Sequence, residues 1–318
     1  MKVLVTGAGG FIGGRVLRAV WQKGWEPIGT SRRDGSSLVP VDIADRSSLA
    51  ALRSKGPFDA IVHCAGIAHR SGDVSDSEYD RVNIGGTKNV AEFAAENGVM
   101  KFVHLSSVLV YGRHGIGIVE TDECTPGDAY ATSKLGGENA AADVCIKAGI
   151  ALAILRPAPV IGEGCKGNFR RLISAIDRGR FVKVGTGSNN KSMIYVDDVA
   201  AACMRVLEDG SGGGVERFNV AAGPITVREL LASVYDALGR DKVRFSIPSH
   251  PLVFAFSKLK SNFRNRAVHS VASSLETWVS DDVYGTEAIR KRFSFEAQTP
   301  LVKAIHRTVA AYKREISN

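Results

Sequence analysis

The sequence is poor in cysteine and has no long apolar run, and each shortage excludes a class of protein. Five cysteines occur in 318 residues, and none of them shows C-x-x-C spacing, so the pattern indicates reduced thiols and no disulfide framework. The apolar stretch PLVFAF is too short to span a bilayer. The start, MKVLVTGAGG, places a strand and glycines where the apolar part of a signal peptide would lie. We therefore expect a cytoplasmic protein.

Acidic residues are also scarce, which gives a formal net charge of +8. Most of this charge is spread along the chain and is not interleaved with stacking aromatics, so nucleic acid is not an expected partner. The exception is 242–275, which contains no Asp or Glu. This segment has two interpretations: a lobe helix with solvated charges, and a helix over 250–266 that makes weak contact with an anionic membrane. A third possibility is that its charges bind a diphosphate.

Strand and helix patterns alternate through the first half of the chain. KVLVT (2–6) has the pattern of a buried strand, and FIGGRVLRAVWQKG (11–24) that of a helix ending at glycine. Repetition of this order predicts an α/β fold with a doubly wound parallel sheet. We assign 1–162 to a dinucleotide-binding domain to which 193–222 returns, and 163–318 mainly to a smaller substrate-binding lobe. Further helices are predicted near 167–179, 196–208, 226–238 and 298–315.

The stretch TGAGGFIG directly follows the first predicted strand and opens the first helix. Gly7, Gly10 and Gly13 allow backbone N–H groups and the helix start to approach a pyrophosphate, where side chains would obstruct it. Phe11 and Ile12 lie inside the same turn. This position predicts a Rossmann-type dinucleotide site.

The second strand ends in TSRRDG, where a carboxylate would select NAD and an arginine would accommodate the 2′-phosphate of NADP. Ser31, Arg32 and Arg33 suit a phosphate, so NADP(H) is favoured. Asp34 is close enough in sequence to keep NAD(H) open. The ends of later strands supply the remaining cofactor contacts. Asp42 and Ile43 are predicted to contact the adenine. The phosphate and ribose are predicted to lie along Cys64, Ala65 and Gly66.

The stretch YATSK places Tyr130 and Lys134 four residues apart on a predicted helix, so both side chains share one face. The lysine charge, helped by an oxidised nicotinamide nearby, is expected to lower the phenol pKa towards neutrality and to make Tyr130 a general acid or base. Ser106 and Ser107 follow the fifth strand and are candidates for holding the substrate oxygen. His63, Cys64, His69, His104 and His114 lack ligand spacing, so no metal site is predicted.

The chain resembles the extended short-chain dehydrogenase/reductase family, in the branch that acts on nucleotide sugars. The motifs that carry the resemblance, in family order, are TGAGGFIG, HCAG, VNIGGTKNV, HLSSVLVYG, YATSK, LRPAPVIG and IYVDDVA. The resemblance implies that Tyr130 is the acid/base, that Lys134 is its partner and a ribose ligand, and that Ser107 polarises the substrate oxygen. Ser107 is chosen over Ser106 because it stands four residues before Tyr111. The remaining implied cofactor residues are Asn83, Pro157 and Ala158.

The resemblance leaves three reactions to compare. Related 4,6-dehydratases carry an Asp-Glu pair after the catalytic hydroxyl, and here Val108 and Leu109 occupy those positions. Dehydration is therefore not expected. An epimerase gains from tightly held NAD, whereas a reductase must exchange its cofactor. Biosynthetic reduction more often uses NADPH, so Arg32 and Arg33 favour the NADPH-dependent reductase.

The segment GEGCKGNFRRLISAIDRG resembles bacterial enzymes that reduce UDP-4-keto-6-deoxy-N-acetylhexosamines for surface polysaccharides. The resemblance implies diphosphate contacts from Asn168 and Lys191, and a homodimer. A UDP-hexose or UDP-N-acetylhexosamine 4-epimerase with bound NAD is the first alternative. The second is a regulatory protein that senses the cofactor without turnover, for which the Ser107–Tyr130–Lys134 set would be unnecessary.

Overall fold

A computed structural model gives the fold of residues 1–32, 37–68, 74–210, 213–241 and 279–317, and the backbone of Ser246–Ile247. Two predictions fall elsewhere. The contact of Arg33 with a 2′-phosphate and the membrane contact of 250–266 lie outside the described residues.

The first part of the chain alternates strands and helices as the sequence predicts. Its strands are β1 (Lys2–Thr6), β2 (Glu26–Ser31), β3 (Val39–Pro40), β4 (Ala60–His63), β5 (Lys101–Leu105), β6 (Gly115–Ile118), β7 (Ala151–Pro157) and β8 (Val160–Ile161). Its helices are α1 (Phe11–Gln22), a 3-10 segment (Arg46–Lys55), α2 (Asp76–Tyr79), a π turn (Asp80–Gly85), α3 (Gly86–Glu96), a second 3-10 turn (Val108–Tyr111) and α4 (Ala129–Ala148).

The second part is less regular. Its strands are β9 (Lys183–Val184), β10 (Asn190–Lys191), β11 (Ile194–Tyr195), β12 (Val215–Val220), β13 (Ile225–Thr226), β14 (Ser246–Ile247) and β15 (Asp282–Tyr284). Its helices are α5 (Asn168–Asp177), α6 (Val196–Glu208), α7 (Val227–Leu238), α8 (Glu287–Phe293) and α9 (Leu301–Ser317).

In the described part of the chain, seven strands form one parallel sheet in the order β12-β7-β5-β4-β1-β2-β3. The order reverses between β1 and β4, and such reversals create the crevice where α/β proteins bind ligands. Apolar residues of α1, α6 and α8 pack on one face of the sheet, and those of α3, α4 and the first 3-10 segment pack on the other. The predicted doubly wound α/β fold is confirmed.

Two local elements differ from their predictions. The pattern of LVPVD predicts a strand, but only Val39–Pro40 has strand geometry, and the N–H of Val41 still donates to the carbonyl oxygen of Ser31 at 2.9 Å. The pattern of RSSLAALRSKG predicts a helix, and the segment forms a helix of the 3-10 type; its three serines are weak helix formers. The sequence patterns also missed β12, which pairs along its whole length with β7 and forms one edge of the large sheet.

The smaller lobe is built on α5, α7 and α9, which share an apolar cluster with β8 and β11. A four-stranded sheet of order β13-β10-β15-β6 lies beside it in the fold. None of the helices in the described ranges is both long and apolar enough to cross a membrane.

Candidate active site

The glycine-rich turn between β1 and α1 is closed by backbone contacts that leave no space for side chains. Gly7 has φ +67°, and a Cβ there would lie 2.7 Å from the Cα of Ala65. A Cβ on Gly13 would lie 2.2 Å from the carbonyl oxygen of Gly7. Only glycine satisfies these two positions, so β1, the turn and the start of α1 form one tight cradle.

The start of α1 has the properties of a phosphate site. Gly10 is its N-cap and supplies no side chain to its first N–H groups, and no acidic residue lies in its first turn. Free N–H groups and the positive end of the helix dipole favour an anion at this place. The residues present therefore fit the pyrophosphate of a dinucleotide.

The end of β2 carries the residues predicted to select the cofactor. Ser31 lies against the glycine turn, since a Cβ on Gly9 would be 2.8 Å from its Oγ. Arg32 is exposed. Glu78 receives two hydrogen bonds from Arg81, at 2.9 and 2.8 Å. The hydrogen bonds from Arg81 are the main cause of the lowered pKa of Glu78. The positive charge of Arg32 also lowers this pKa, so Arg32 lies near the Glu78–Arg81 pair.

Asp42 and Ile43, the predicted adenine contacts, lie in the turn after β3. The carboxylate of Asp42 accepts a hydrogen bond of 3.0 Å from the N–H of Ala44, so it also shapes the turn. Ile43 contacts α3, where a Cβ on Gly86 would lie 2.7 Å from its Cδ1. Sequence analysis missed Arg81, whose guanidinium interacts with the charge of Asp42 and so lies on the same side of the fold.

Asn83 connects the loop after β4 to the catalytic helix. Its side chain accepts from the N–H of Ile67 at 2.8 Å and donates to the Ser133 hydroxyl at 2.9 Å. Ser133 in turn donates to the carbonyl oxygen of Tyr130 at 2.8 Å. A Cβ on Gly66 would lie 2.9 Å from the Asn83 Oδ1, so the predicted residues Gly66, Asn83 and Tyr130 are mechanically linked.

A second hydrogen-bond chain runs beneath this loop, and sequence analysis did not predict it. Thr87 donates to the carbonyl of Asn83 at 2.7 Å, so its oxygen is left to accept from His63 Nε2, 3.0 Å away. His63 Nδ1 then accepts from Thr6 Oγ1 at 2.7 Å. This arrangement requires a neutral imidazole, and burial lowers the pKa of His63 to about 3. This series of hydrogen bonds connects β1 to β4 and α3.

Ser107 and Tyr130 meet at the carboxyl end of the sheet. The Ser107 side chain forms a hydrogen bond with the Tyr130 phenol. Ser106 is engaged elsewhere, because its hydroxyl donates to Glu138 at 2.5 Å. The geometry thus brings together the predicted serine and the tyrosine. The ring of Tyr79 packs against the edge of the Tyr130 ring, with centroids 5.9 Å apart.

The ionisation of Tyr130 differs from the sequence prediction. Burial raises the pKa of Tyr130 to about 12, and the hydrogen bond from Ser107 only partly offsets this. The expected lowering by Lys134 is wrong for the protein alone, since the Lys134 ammonium donates to the carbonyl oxygen of Leu105 at 2.5 Å. Burial lowers the pKa of Lys134 itself to about 8. The phenol is therefore protonated at neutral pH.

The other predicted residues are distributed around this centre. Pro157 ends β7, and the next residue, Ala158, is buried and donates its N–H to Val220 at 2.9 Å. Cys64 and Ala65 follow β4 directly, at the same edge of the sheet. These four residues lie at the carboxyl ends of β7 and β4, at the edge of the sheet where α/β proteins bind ligands.

The two predicted diphosphate ligands have different environments. Asn168 is exposed and begins α5. Lys191 forms an ion pair of 2.5 Å with Asp282, which lowers its availability to a phosphate. Along α5 lies a groove of about 830 Å³ that sequence analysis did not anticipate. Its basic lining residues are Lys166, Arg170, Arg171, Arg178 and Arg180.

Sequence analysis also missed a buried ion pair beside the predicted catalytic residues. Glu138 is fully buried and Arg156 is 2% exposed, with two hydrogen bonds between them at 2.9 and 2.7 Å. The signal was present: Glu138 stands four residues after Lys134 on an alanine-rich helix, and Arg156 ends the apolar strand LAILR. A charge at the buried end of an apolar pattern indicates a paired charge.

Comparison with known proteins agrees with this geometry. The family model described as "NAD dependent epimerase/dehydratase family" matches residues 3–221, more than half of the chain. The chain belongs to the NAD-dependent epimerase/dehydratase family. It is therefore an enzyme of the extended short-chain dehydrogenase/reductase type with a nicotinamide cofactor.

Individual relatives in the epimerase/dehydratase family are moderately similar to this chain. It is 31% identical over 259 residues to the N-acetyl-alpha-D-glucosaminyl-diphospho-ditrans,octacis-undecaprenol 4-epimerase of Escherichia coli O157:H7, covering 79% of this chain and 76% of the relative. It is 31% identical over 273 residues to the UDP-glucose 4-epimerase of Mycolicibacterium smegmatis, covering 78% and 86%.

Among solved structures, UDP-glucuronic acid 4-epimerase from Bacillus cereus in complex with NAD superposes with a TM-score of 0.79. The superposition covers 99% of each chain at 20% sequence identity. At this identity the likeness establishes the epimerase/dehydratase fold and no more.

Proposed function

We propose that this enzyme is an NADPH-dependent 4-ketoreductase of a UDP-4-keto-6-deoxy-hexosamine, acting in surface polysaccharide biosynthesis. The observation that carries the proposal is the hydrogen bond between Ser107 and Tyr130, whose pKa burial raises further above neutrality, so that the phenol is a proton donor at neutral pH. A protonated phenol beside a second hydroxyl is suited to donating a proton to a ketone oxygen. This favours reduction as the working direction.

In this mechanism Ser107 donates a hydrogen bond that orients and polarises the C4 carbonyl, and Tyr130 delivers the proton to its oxygen. When bound, the nicotinamide supplies hydride to C4. Lys134, which donates to the carbonyl of Leu105 in this structure, would hold the cofactor ribose, and its positive charge would stabilise the phenolate that Tyr130 leaves after proton donation. The residues proposed to hold the rest of the cofactor are the glycine turn, Ser31, Arg32 and Asn83.

The choice of NADPH rests on the end of β2. Arg32 is exposed and follows Ser31 directly, with no carboxylate at either position. A guanidinium and a hydroxyl complement a 2′-phosphate. Glu78 is also nearby, but it is already bound by Arg81.

The substrate proposal rests on charge and on similarity. The groove along α5 presents basic side chains next to Asn168, as binding of an anionic sugar carrier requires. Both sequence relatives act, by name, on sugars that carry a diphosphate. Val108 is buried and Leu109 is apolar, so no proton-exchanging pair follows Ser107 as dehydration would need.

The alternative is a 4-epimerase of a diphosphate-linked hexose with tightly bound NAD. The names of both relatives favour it. The two reactions share hydride transfer at C4 and differ in whether the cofactor leaves after each turnover. The homodimer through α4 and the preceding helix stays a prediction.

The test uses the purified enzyme with two sets of sugars. UDP- and dTDP-4-keto-6-deoxy sugars are mixed with NADPH or NADH, and absorbance of the reduced cofactor is followed. UDP-glucose and UDP-N-acetylglucosamine are incubated without added cofactor, and C4 inversion is followed by NMR. Net oxidation of NADPH by a keto sugar supports the reductase. Inversion without added cofactor establishes the epimerase, and retained cofactor with no turnover indicates the sensor.

A further inference from the structure

The ion pair Glu138–Arg156 lies in the protein interior, where removal of charges from water costs free energy. Glu138 is fully buried and Arg156 is 2% exposed. Charges removed from water often contribute no net stability, even when paired, and apolar residues of similar volume can replace them. The pair takes no part in proton or hydride transfer, so its presence directly behind the reacting residues requires another explanation.

Every hydrogen-bonding group of the Glu138 carboxylate is engaged. One oxygen accepts from Arg156 Nε at 2.9 Å and from Ser106 Oγ at 2.5 Å. The other accepts from Arg156 Nη2 at 2.7 Å, and the guanidinium of Arg217 lies 3.6 Å from it. Bidentate bonds of this kind fix direction as well as distance.

Each partner in this cluster adjoins a residue of the proposed site. Ser106 precedes Ser107, Glu138 is one helical turn after Lys134, and Arg156 precedes Pro157. The three residues belong to different elements: Ser106 follows β5, Glu138 lies within α4, and Arg156 lies at the end of β7. The pair therefore holds together the three backbone segments from which the site is assembled.

The same network extends to the four-stranded sheet that contains β6 and β15. Arg156 Nη1 donates to the Tyr111 hydroxyl at 3.0 Å, and that hydroxyl donates to Asn219 Oδ1 at 2.7 Å. Asn219 then donates to the carbonyl oxygens of Ile118 at 3.1 Å and of Gly285 at 3.2 Å. Ile118 ends β6 and Gly285 follows β15, so the chain of bonds leaves the large sheet.

Charge links the pair to Lys134 as well. Burial lowers the pKa of Lys134, and the negative charge of Glu138 opposes this shift; burial raises the pKa of the neighbouring Cys64 thiol to about 12, so that thiol is neutral. His63 and His104 face the same ammonium from β4 and β5, and burial lowers the pKa of both, so they stay neutral. Glu138 is thus the carboxylate that favours the charged form of Lys134.

We propose that Glu138 and Arg156 form a positioning unit for Ser107 and Lys134, and that this unit couples their geometry to the four-stranded sheet that contains β6 and β15. The proposal rests on the proposed function only in the roles given to Ser107 and Lys134. It predicts that loss of the pair impairs the chemical step more than it impairs folding.

The first test is Glu138→Gln, which keeps the shape and removes the charge. We expect kcat to fall about 10- to 100-fold, as a misplaced catalytic group can cause. The alkaline limb of the pH profile should move to lower pH, because Lys134 loses a negative neighbour. The Michaelis constant for the sugar should change less than kcat.

Glu138→Gln leaves Arg156 buried without its partner and can fail to fold. The second variant is therefore Glu138→Leu with Arg156→Met, which removes both charges. It should retain a Tm near that of the wild type, with the same loss of kcat and the same pH shift. Wild-type kcat and pH profile in this folded double variant would overturn the proposal and leave the pair a structural role.

Glu216→Gln is the matched control. It breaks an ion pair of 3.0 Å between Glu216 and Arg292, at the opposite end of β12 from Asn219. It should lower Tm without moving the pH profile. NADPH binding can be measured by fluorescence as a function of pH without any sugar. A shift in this pH dependence in the double variant supports the Glu138–Arg156 positioning unit even if no keto sugar is reduced. No shift in either readout would refute it.

Discussion

The strand ends around Tyr130 and the groove along α5 differ in how their polar side chains are buried and bonded. At the strand ends the polar side chains are buried and held by named partners, with Lys134 7% exposed and Ser107 8% exposed. Along α5, Lys166, Arg171 and Arg178 are exposed. The difference shows that reaction chemistry depends on fixed geometry in a dry site, whereas attraction of an anionic substrate needs only charge of the right sign.

Removal of the Tyr130 hydroxyl should give the largest effect. Tyr130→Phe is expected to lower turnover by about 10²–10⁴, the range for loss of a general acid, because no other hydroxyl takes over proton donation. NADPH binding should stay nearly unchanged, since the ribose contact belongs to Lys134. Steady-state kinetics and fluorescence titration measure the two quantities. Turnover within a few-fold of wild type would remove Tyr130 from the mechanism.

Loss of Arg32 should give the next largest effect, confined to one cofactor. Arg32→Ala is expected to raise the dissociation constant for NADPH about 10- to 100-fold, because a charged hydrogen bond contributes about 1.5–3 kcal/mol. NADH binding to the same variant is the control and should be nearly unaffected. Equal losses for both cofactors, or a wild-type preference for NADH, would contradict this interpretation of TSRR.

The pH dependence should report Lys134. Its pKa is lowered by burial to about 8, so the charged form is lost as pH rises through this value. Activity is then expected to fall up to tenfold per pH unit above about 8. Stability should move oppositely: between about pH 8 and 10 the unfolded chain binds this proton and the folded chain does not, so the contribution of Lys134 to stability rises. Activity that stays constant up to pH 10 would disprove the assignment.

The smallest effect is expected in the groove. Arg171→Gln with Arg178→Gln should raise the Michaelis constant of the sugar about two- to fivefold and leave kcat unchanged, as for exposed charges in water. High salt should abolish the difference. Arg18→Gln removes an exposed charge from α1 that does not line the groove, and is the control. A lowered kcat would place these arginines in the reacting centre and weaken the contrast between the two regions.

The sequence predicted best what depends on local spacing. Gly7 and Gly13 were found because a tight turn after a strand tolerates no other residue, and Tyr130 and Lys134 because four residues make one helical turn. The partners of Ser106, Tyr111 and Asn219 could not be found in this way. They lie up to 108 residues apart in the chain and meet only after the strands have paired. The order of the strands in the sheet determines which buried polar side chains come into contact, and this order cannot be derived from local spacing in the sequence.

The ionisation of Tyr130 could not be read from its neighbours in sequence either. Spacing suggested that Lys134 would act on it, but the ammonium turns towards Leu105, and burial by surrounding elements determines the phenol pKa. The choice of Ser107 over Ser106 was made from a motif, and its physical reason became visible only in the fold. Ser106 faces Glu138 and Ser107 faces Tyr130.

The position of β12 has a consequence for how the chain is made. This strand covers the edge of β7 in the large sheet, yet it is encoded after α5 and α6. During synthesis, β7 therefore emerges from the ribosome well before its neighbour and presents unpaired N–H and C=O groups until residue 220 has followed. Nascent chains stalled between residues 160 and 215 should be the most prone to aggregate and to recruit chaperones.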